Sequence, residues 1–434
     1  MTIPARFVLF YLLHILMKVV VALEHRFHRT PDGIVWTHTQ FPYSFWQRYL
    51  EVFDHVRVVA RVQDVLSVPS DWTPSNGDSE ALRRNRISFA AIPYYIGPMQ
   101  YLWRSIMVKR AAQQAVNTED AVILRVSSTI ASCIEPKLRA TNHPFGLEVV
   151  GDPYDVFAPG SIKHPLRPFF RWRSPRILRR QCARACGAAY VTESALQKRY
   201  PPGKDAFSTH YSSIELSPEA FVSVPRLPKQ ESQIFTIIFV GTLAQLYKAP
   251  DVLIDAVANC VQQGLKLKLV VVGDGKHREE LEMRAVKLNL GDYVNFRGQL
   301  SAGKAVRAEL DQADLFILAS HQEGLPRAMI EAMARALPCI GSTVGGIPEL
   351  LAPEDIVPPG DVAALSAKIR QVVTDPERMA RMSARNLEKA KEYTNEILRE
   401  RQITFYNYVR KSTQDWLNAQ KEVGRTRNRT LIDE

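Results

Sequence analysis

Residues 315–331 read LFILASHQEGLPRAMIE. Four apolar residues, Leu315–Leu318, have the length of a buried strand, and Pro326 stands where the first turn of a helix accepts proline. Between them a short loop carries Glu323 and Gly324. A strand, a tight loop and a helix in that order form part of a parallel α/β sheet, whose ligands sit beyond the carboxyl ends of the strands. The free N–H groups and positive dipole end of this helix aim at that crevice and suit a diphosphate. Glu331 follows Pro326 by about 1.4 turns, so Glu323 and Glu331 reach the crevice from different heights. Carboxylates so placed pair well with sugar and ribose hydroxyls. Taken alone, the two glutamates are equally consistent with a capped and solvated helix.

Working outward, the same alternation recurs. Strands are expected at Phe235–Val240, Leu267–Val272, Tyr293–Phe296 and Cys339–Gly341, each followed by a helical period. The first ends in Gly241 and Thr242 with Lys248 in the next loop, where glycine allows close backbone approach and an ammonium meets phosphate oxygens. The second ends in Gly273, Asp274 and Gly275, and Gly345–Glu349 supplies another glycine-rich turn at the same sheet edge. Upstream, strands are expected at Gly33–Thr37, Val56–Val62, Ala121–Val126 and Leu147–Val150. Val222–Gln233, with Pro225 and Pro228 and no apolar period, reads as a linker. The expected fold is α/β: two doubly wound, Rossmann-like domains, 31–225 and 226–392, facing a cleft. An apolar helix in 1–30 precedes them, and a helix returning to the first domain, then a polar tail, fills 393–434.

Composition narrows the class. A chain of 434 residues, 46% hydrophobic and 23% charged, excludes disorder and fibrous repeats. A mean hydropathy of −0.16 excludes a multi-span membrane protein. The five cysteines are too few and scattered for a disulfide scaffold, and Cys182 and Cys186 lack companions for a metal. Net charge is +11, which favours anionic partners. No zinc-finger, helix-turn-helix or RNA-recognition pattern is present, so nucleic acid is not among the expected partners.

The ordered set Gly241…Lys248, Val272–Gly275, Val294…Gly298, Glu323…Glu331 and Gly345–Glu349 resembles the donor domain of the retaining glycosyltransferases of family 4, which have the GT-B fold. The likeness spans roughly residues 234–392. It implies that Lys248 contacts the diphosphate of a nucleotide sugar (a UDP- or GDP-sugar), Glu323 the hydroxyls of the transferred sugar and Glu331 the ribose. Backbone near Arg297 would read the base, and Gly241, Thr242, Gly273, Asp274, Gly324, Leu325 and Pro326 would line the same site. Lys248 and Glu323 would be the catalytic pair, with no cofactor and no bound metal. Thr242 stands where the family usually has arginine, and Ala249 where it usually has glycine. In the first domain Ala188–Ser194 resembles the family's late strand and helix start. Thr39–Pro42 replaces a Gly-Gly loop, and Gly151-Asp152 stands where the family often has histidine.

The implied activity is retaining transfer of a sugar from a nucleotide diphosphate sugar to an acceptor hydroxyl, on a lipid-linked or oligosaccharide acceptor in cell-surface polysaccharide synthesis. A catalytically weak sugar-nucleotide-binding subunit is the alternative. His38, Gln40 and Asp152 are the acceptor-side candidates. Between Asp155 and Glu193 no acidic residue occurs, while Lys163, Arg167, Arg171, Arg173, Arg176, Arg179, Arg180 and Arg184 interleave with Phe169, Phe170 and Trp172. Such a segment suits an anionic membrane surface. The run Phe7–Leu23, broken by His14 and Lys18, reads as a buried or interfacial helix rather than a span or cleaved leader. A cytoplasmic enzyme, peripheral on the inner face of the cell membrane, is expected.

Overall fold

The computed structural model describes residues 16–38, 40–84, 86–159, 164–227 and 234–430. The first domain holds β1 (Lys18–Arg29), β2 (Val35–Thr37), β3 (His55–Asp64), β4 (Thr73–Pro74), β5 (Ile87–Ile92), β6 (Ala121–Val126), β7 (Gly146–Val149), β8 (Gly187–Tyr190) and β9 (Phe207–His210). Its helices are α1 (Tyr43–Gln47), α2 (Ser79–Arg84), α3 (Gly97–Gln114), α4 (Thr129–Ala140), α5 (Pro153–Val156), α6 (Arg167–Arg184) and α7 (Ala195–Arg199). The second domain holds β10 (Phe235–Val240), β11 (Leu267–Val272), β12 (Val294–Gly298), β13 (Leu315–Leu318), β14 (Cys339–Ser342) and β15 (Ile356–Val357). Between and after them run α8 (Pro250–Gln262), α9 (Arg278–Lys287), α10 (Lys304–Gln312), α11 (Arg327–Ala334), α12 (Ile347–Leu350), α13 (Val362–Val373), α14 (Pro376–Ala390) and α15 (Asn395–Thr430).

The second sheet is wholly parallel, in the order β12-β11-β10-β13-β14-β15. The chain works outward from β10 to one edge, then returns to β13 and works to the other. The crevice between β10 and β13 is therefore the switch point, where ligands of doubly wound sheets bind. The first sheet is built the same way around β1, which pairs in parallel with β3 on one side and β6 on the other.

That central β1 corrects the reading of 7–23 as one apolar helix. Residues 7–15 lie outside the described residues, but Lys18–Leu23 opens the strand. Val19, Val20 and Val21 are fully buried, facing alternately the two layers of the domain. A strand covered on both faces is a continuous apolar run, which periodicity cannot tell from a buried helix. The expected strand Gly33–Thr37 is also corrected: only Val35–Thr37 is extended, and it runs antiparallel, folding back on the end of β1. The expected linker is half docked. Arg226 donates from Nε to the Arg335 carbonyl at 2.8 Å and from Nη2 to that of Leu310 at 2.9 Å.

Helix α15 crosses back to the first domain. Phe405 and Val409 press on Gly146, where an added Cβ would lie 2.6 Å from Val409. Beneath them Glu148 is fully buried on β7. It pairs with Arg125 and accepts from the hydroxyls of Tyr211 at 2.8 Å, Tyr49 at 3.0 Å and Tyr406 at 3.2 Å. Burial alone would raise its carboxyl, but Arg125 and Arg48 bring it below its ordinary value. The same burial, with the carboxylate beside it, pushes the Tyr49 phenol up to about 12. Removing one partner of a buried ion pair leaves the other charge uncompensated. Glu148→Ala should therefore cost about 3–5 kcal/mol, read as a lower urea midpoint for the first domain.

Candidate active site

The switch point gathers three loops of the second domain. The loop after β13 is stapled to that after β10 by the His321 N–H on the Tyr247 carbonyl at 2.7 Å. It is stapled to the end of β14 by the Ser342 hydroxyl on the Ser320 carbonyl at 2.6 Å. Gly345, at φ +54°, is tucked so closely under the Glu323 backbone that a Cβ would lie 2.2 Å from its carbonyl oxygen. Only a residue without a side chain lets this loop stand there.

Lys248 and Glu323 meet in this frame. Lys248 Nζ lies 2.8 Å from Glu323 Oε1, which also accepts from the Ser320 hydroxyl at 2.8 Å. Glu323 Oε2 has no hydrogen bond among the described residues, and the ammonium has spent one of its three donors. Burial by itself would lower the Lys248 pKa, yet Glu323 and Tyr247 hold it above the ordinary value, so the ammonium stays charged. Just beyond, α11 begins after Pro326, with no side chain capping its first N–H groups. Glu331 is the fifth residue of that helix; burial raises its carboxyl despite Arg327 and Arg307.

The other donor-side candidates fall around the same crevice. Gly241 N–H donates to the Val272 carbonyl at 2.9 Å, Gly273 N–H to that of Gly298 at 2.8 Å and Leu243 N–H to that of Asp274 at 2.9 Å. These bonds lock the ends of β10, β11 and β12 into one rim. Thr242 accepts from the Ala244 N–H at 3.1 Å, so its hydroxyl is used within its own turn. Arg297 points its guanidinium to Glu309, Nε to Oε1 at 2.9 Å, leaving only its backbone on the rim.

Two of the contacts between the domains lie at the cleft. Gly324 stands so near the first domain that a Cβ would lie 2.7 Å from the Val150 carbonyl oxygen. The Glu349 carboxylate reaches over to the start of α7 and accepts from the N–H groups of Glu193 at 2.7 Å, Ser194 at 2.8 Å and Ala195 at 2.5 Å. A carboxylate at a helix N-terminus is the favourable sign of charge for that position.

With this geometry in hand, comparisons with known proteins are decisive. Residues 225–389 match the family glycosyl transferases group 1. Protein CapJ of Staphylococcus aureus is 26% identical over 370 residues, covering 85% of this chain and 90% of that protein. The group 1 match falls on the second domain, and the chain is a glycosyltransferase. The putative colanic acid biosynthesis glycosyltransferase WcaL of Escherichia coli K12 is 29% identical over 189 residues, 41% of this chain and 46% of that protein. Among solved structures, sucrose-phosphate synthase of Thermosynechococcus elongatus superposes with a TM-score of 0.64 at 17% identity, over 90% of this chain and 98% of that one. Anabaena Alr3699/HepE in complex with UDP-glucose gives 0.58 at 15% identity, over 92% and 100%. The fold of this glycosyltransferase is GT-B.

The acceptor-side candidates fare differently. Asp152 is buried and spent: it caps α5 through the Tyr154 N–H at 2.8 Å and also holds Arg199 and the Tyr200 hydroxyl. His38 is exposed, 3.4 Å from Asp71 and stacked on Trp72. Gln40 is exposed, its carbonyl bonded by the Thr37 hydroxyl at 2.5 Å. Both follow the antiparallel β2 rather than the first parallel strand. Sequence reading missed Ser320, which orients Glu323, and Arg327, the first residue of α11, whose charge acts on Lys248 and Glu331. It also missed Arg48. That side chain stacks on Phe45 at 3.5 Å with Nε and Nη2 buried and unpartnered, at a small cavity shared with Val150.

Glu331 gives a test by pH. Its folded carboxyl is raised, so its ionisation burdens the folded state above the raised pKa and vanishes as a burden below the unfolded value near 4.3. Glu331→Gln should raise the melting temperature by a few degrees at pH 7. The gain should shrink to nothing as the pH falls below about 4; a thermal scan from pH 4 to 8 reads both.

Proposed function

We propose that this glycosyltransferase moves a sugar, with retention of anomeric configuration, from a UDP- or GDP-sugar to a hydroxyl of a lipid-linked or oligosaccharide acceptor in exopolysaccharide assembly. The observation that carries this reading is the Lys248–Glu323 pair at the mouth of α11, with two ammonium donors and one carboxylate oxygen left over. The leftover donors suit diphosphate oxygens, and Glu323 Oε2 suits the hydroxyls of the transferred sugar. Glu331 takes the ribose, and the rim of Gly241, Thr242, Gly273, Asp274 and the backbone at Arg297 takes the rest of the nucleotide. The uncapped helix end and Arg327 add positive character where the family's usual arginine is replaced by Thr242. UDP-glucose in the Alr3699/HepE complex supports a sugar nucleotide as donor, and the colanic acid relative supports a polysaccharide context.

In this reading the bond from the anomeric carbon to the diphosphate breaks as the acceptor oxygen bonds to the same face. The acceptor proton passes to the departing diphosphate, whose growing charge Lys248, Arg327 and the α11 N–H groups stabilise. That positive set acts without a divalent cation. Arg48, whose Nε and Nη2 have no hydrogen bond among the described residues, suits an anionic group on the acceptor.

Glu323→Ala and Lys248→Ala should each lower turnover by about 10²-fold or more while leaving the circular dichroism unchanged. Glu331→Ala should chiefly raise the KM for the donor. Proton NMR of the product should show the donor's own anomeric configuration. Wild-type rates in both Glu323→Ala and Lys248→Ala would place the chemistry elsewhere, and an inverted product would remove the retaining course. Absence of turnover with every nucleotide sugar, despite a thermal shift, would favour the binding-subunit reading.

A further inference from the structure

Helix α3 is built inside out. Its inner side chains Val108 and Ala112 are buried against the first sheet. Yet Met99, Leu102, Trp103, Ile106 and Met107 stand 62–86% exposed. At 100° per residue these five span about 140° of the helix circumference, so they form one continuous outward stripe. A surface helix ordinarily turns polar residues outward, and an apolar patch of this kind marks a binding surface. Arg104 and Lys109 flank the stripe and Arg110 follows it on the next turn, all exposed, and α3 contains no acidic residue.

The layer it belongs to carries a second such feature. Helices α3, α4 and α6 cover the same face of the first sheet, where Val108, Ile134 and Leu178 share one core. Helix α6 holds seven arginines and no acid, with Phe169 and Trp172 about half exposed. Beside it lies a cavity of about 600 Å³ lined by Tyr154, Trp172, Arg171, Arg176, Arg179 and Arg199. Asp152 and Asp155 pair with Arg199. Arg171 also acts on the Asp155 carboxyl, Arg176 and Arg179 have no acidic partner within ion-pair distance among the described residues, and Arg171 Nε is buried without a hydrogen bond. Both α3 and the first half of α6 start from the carboxyl edge of the sheet, which is the edge of the cleft.

We propose that this layer is a membrane-docking face: the α3 stripe enters the headgroup boundary of an anionic bilayer, and the α6 cavity holds a phospholipid phosphate. The charge pattern selects this occupant over a second copy of the chain. A two-fold dimer through α3 would set Arg104, Lys109 and Arg110 against their own copies, a like-charge contact that specific interfaces avoid. A bilayer supplies the anions these residues lack, and Trp and basic side chains around an apolar stripe are the composition that interfaces favour. Stable attachment needs a hydrophobic and an electrostatic signal together; here α3 gives the first and α6 the second. Among the described residues no helix is long and apolar enough to cross a membrane.

The test is flotation of the full chain with vesicles of phosphatidylcholine, with and without phosphatidylglycerol, and with no nucleotide sugar added. It is therefore independent of the donor-site reading. The chain should float only with phosphatidylglycerol and detach as salt rises. The exposed-residue variant Leu102→Ser/Trp103→Ser/Ile106→Ser should lose at least tenfold in bound fraction with its melting temperature unchanged. Arg171→Ser/Arg176→Ser should lose the preference for anionic vesicles. Nitroxide-labelled lipid should quench tryptophan emission in the wild type, and the quenched part should shrink in Trp103→Phe, which leaves the helix intact and Trp172 in place. Absence of flotation, equal flotation of the α3 variant, or a dimer in solution that the α3 variant dissolves would each overturn the proposal.

Discussion

Glu349 fixes the geometry on which the cleft depends. Its carboxylate, on the second domain, caps the first turn of α7 on the other, taking three successive backbone N–H groups. An uncapped helix start at a domain boundary would have to be satisfied by water, and the two domains would then be free to part. Because α12 is short and follows β14 after a loop of four residues, the position of Glu349 is tied to the second sheet. The cap thus transmits the register of one sheet to the other. Gly324 against Val150 closes the same gap from the side, so the loop that presents Glu323 is also the loop that touches the partner domain.

The crevice shows how little side-chain chemistry a switch point needs. Backbone bonds between strand ends form its rim, and the uncapped end of α11 forms its floor. Lys248 and Glu323 meet there, at positions the sequence pattern singled out. Ser320 bonds the inner oxygen of Glu323 and leaves the outer one to a ligand. Burial raises the Glu331 carboxyl, which has no hydrogen-bond partner among the described residues.

How much of this the sequence revealed depends on how far apart in the chain the partners lie. In the second domain, the strands Phe235–Val240, Leu267–Val272 and Leu315–Leu318 are legible to the residue, because short apolar runs bounded by Gly or Asp have one reading in a parallel sheet. Lys248, Glu323 and Glu331 were legible for the same reason: each sits at a fixed offset from a strand end. Residues 18–23 were misread because a strand buried on both faces lacks alternation. Glu148 gave no signal of its role, since its partners Arg125, Tyr49, Tyr211 and Tyr406 come from 23 to 258 residues away. The α7 cap is likewise made by a residue more than 150 positions downstream. The stripe on α3 was visible as apolar letters, but only burial shows that they face outward.

The crossing of α15 also sets an order of events during synthesis. The second domain is contiguous, and its sheet can close as soon as the segment up to about residue 390 has left the ribosome. The first domain, although made earlier, must wait for Phe405, Tyr406 and Val409 to fill the groove over Gly146 and to bring Glu148 its last hydroxyl. Tyr406 is translated 258 residues after Glu148, a delay on the order of tens of seconds at ordinary elongation rates. During that interval the nascent first domain holds a carboxylate and an apolar trough without their cover. Emergence of α15, rather than of its own sheet, is the moment at which this domain becomes complete.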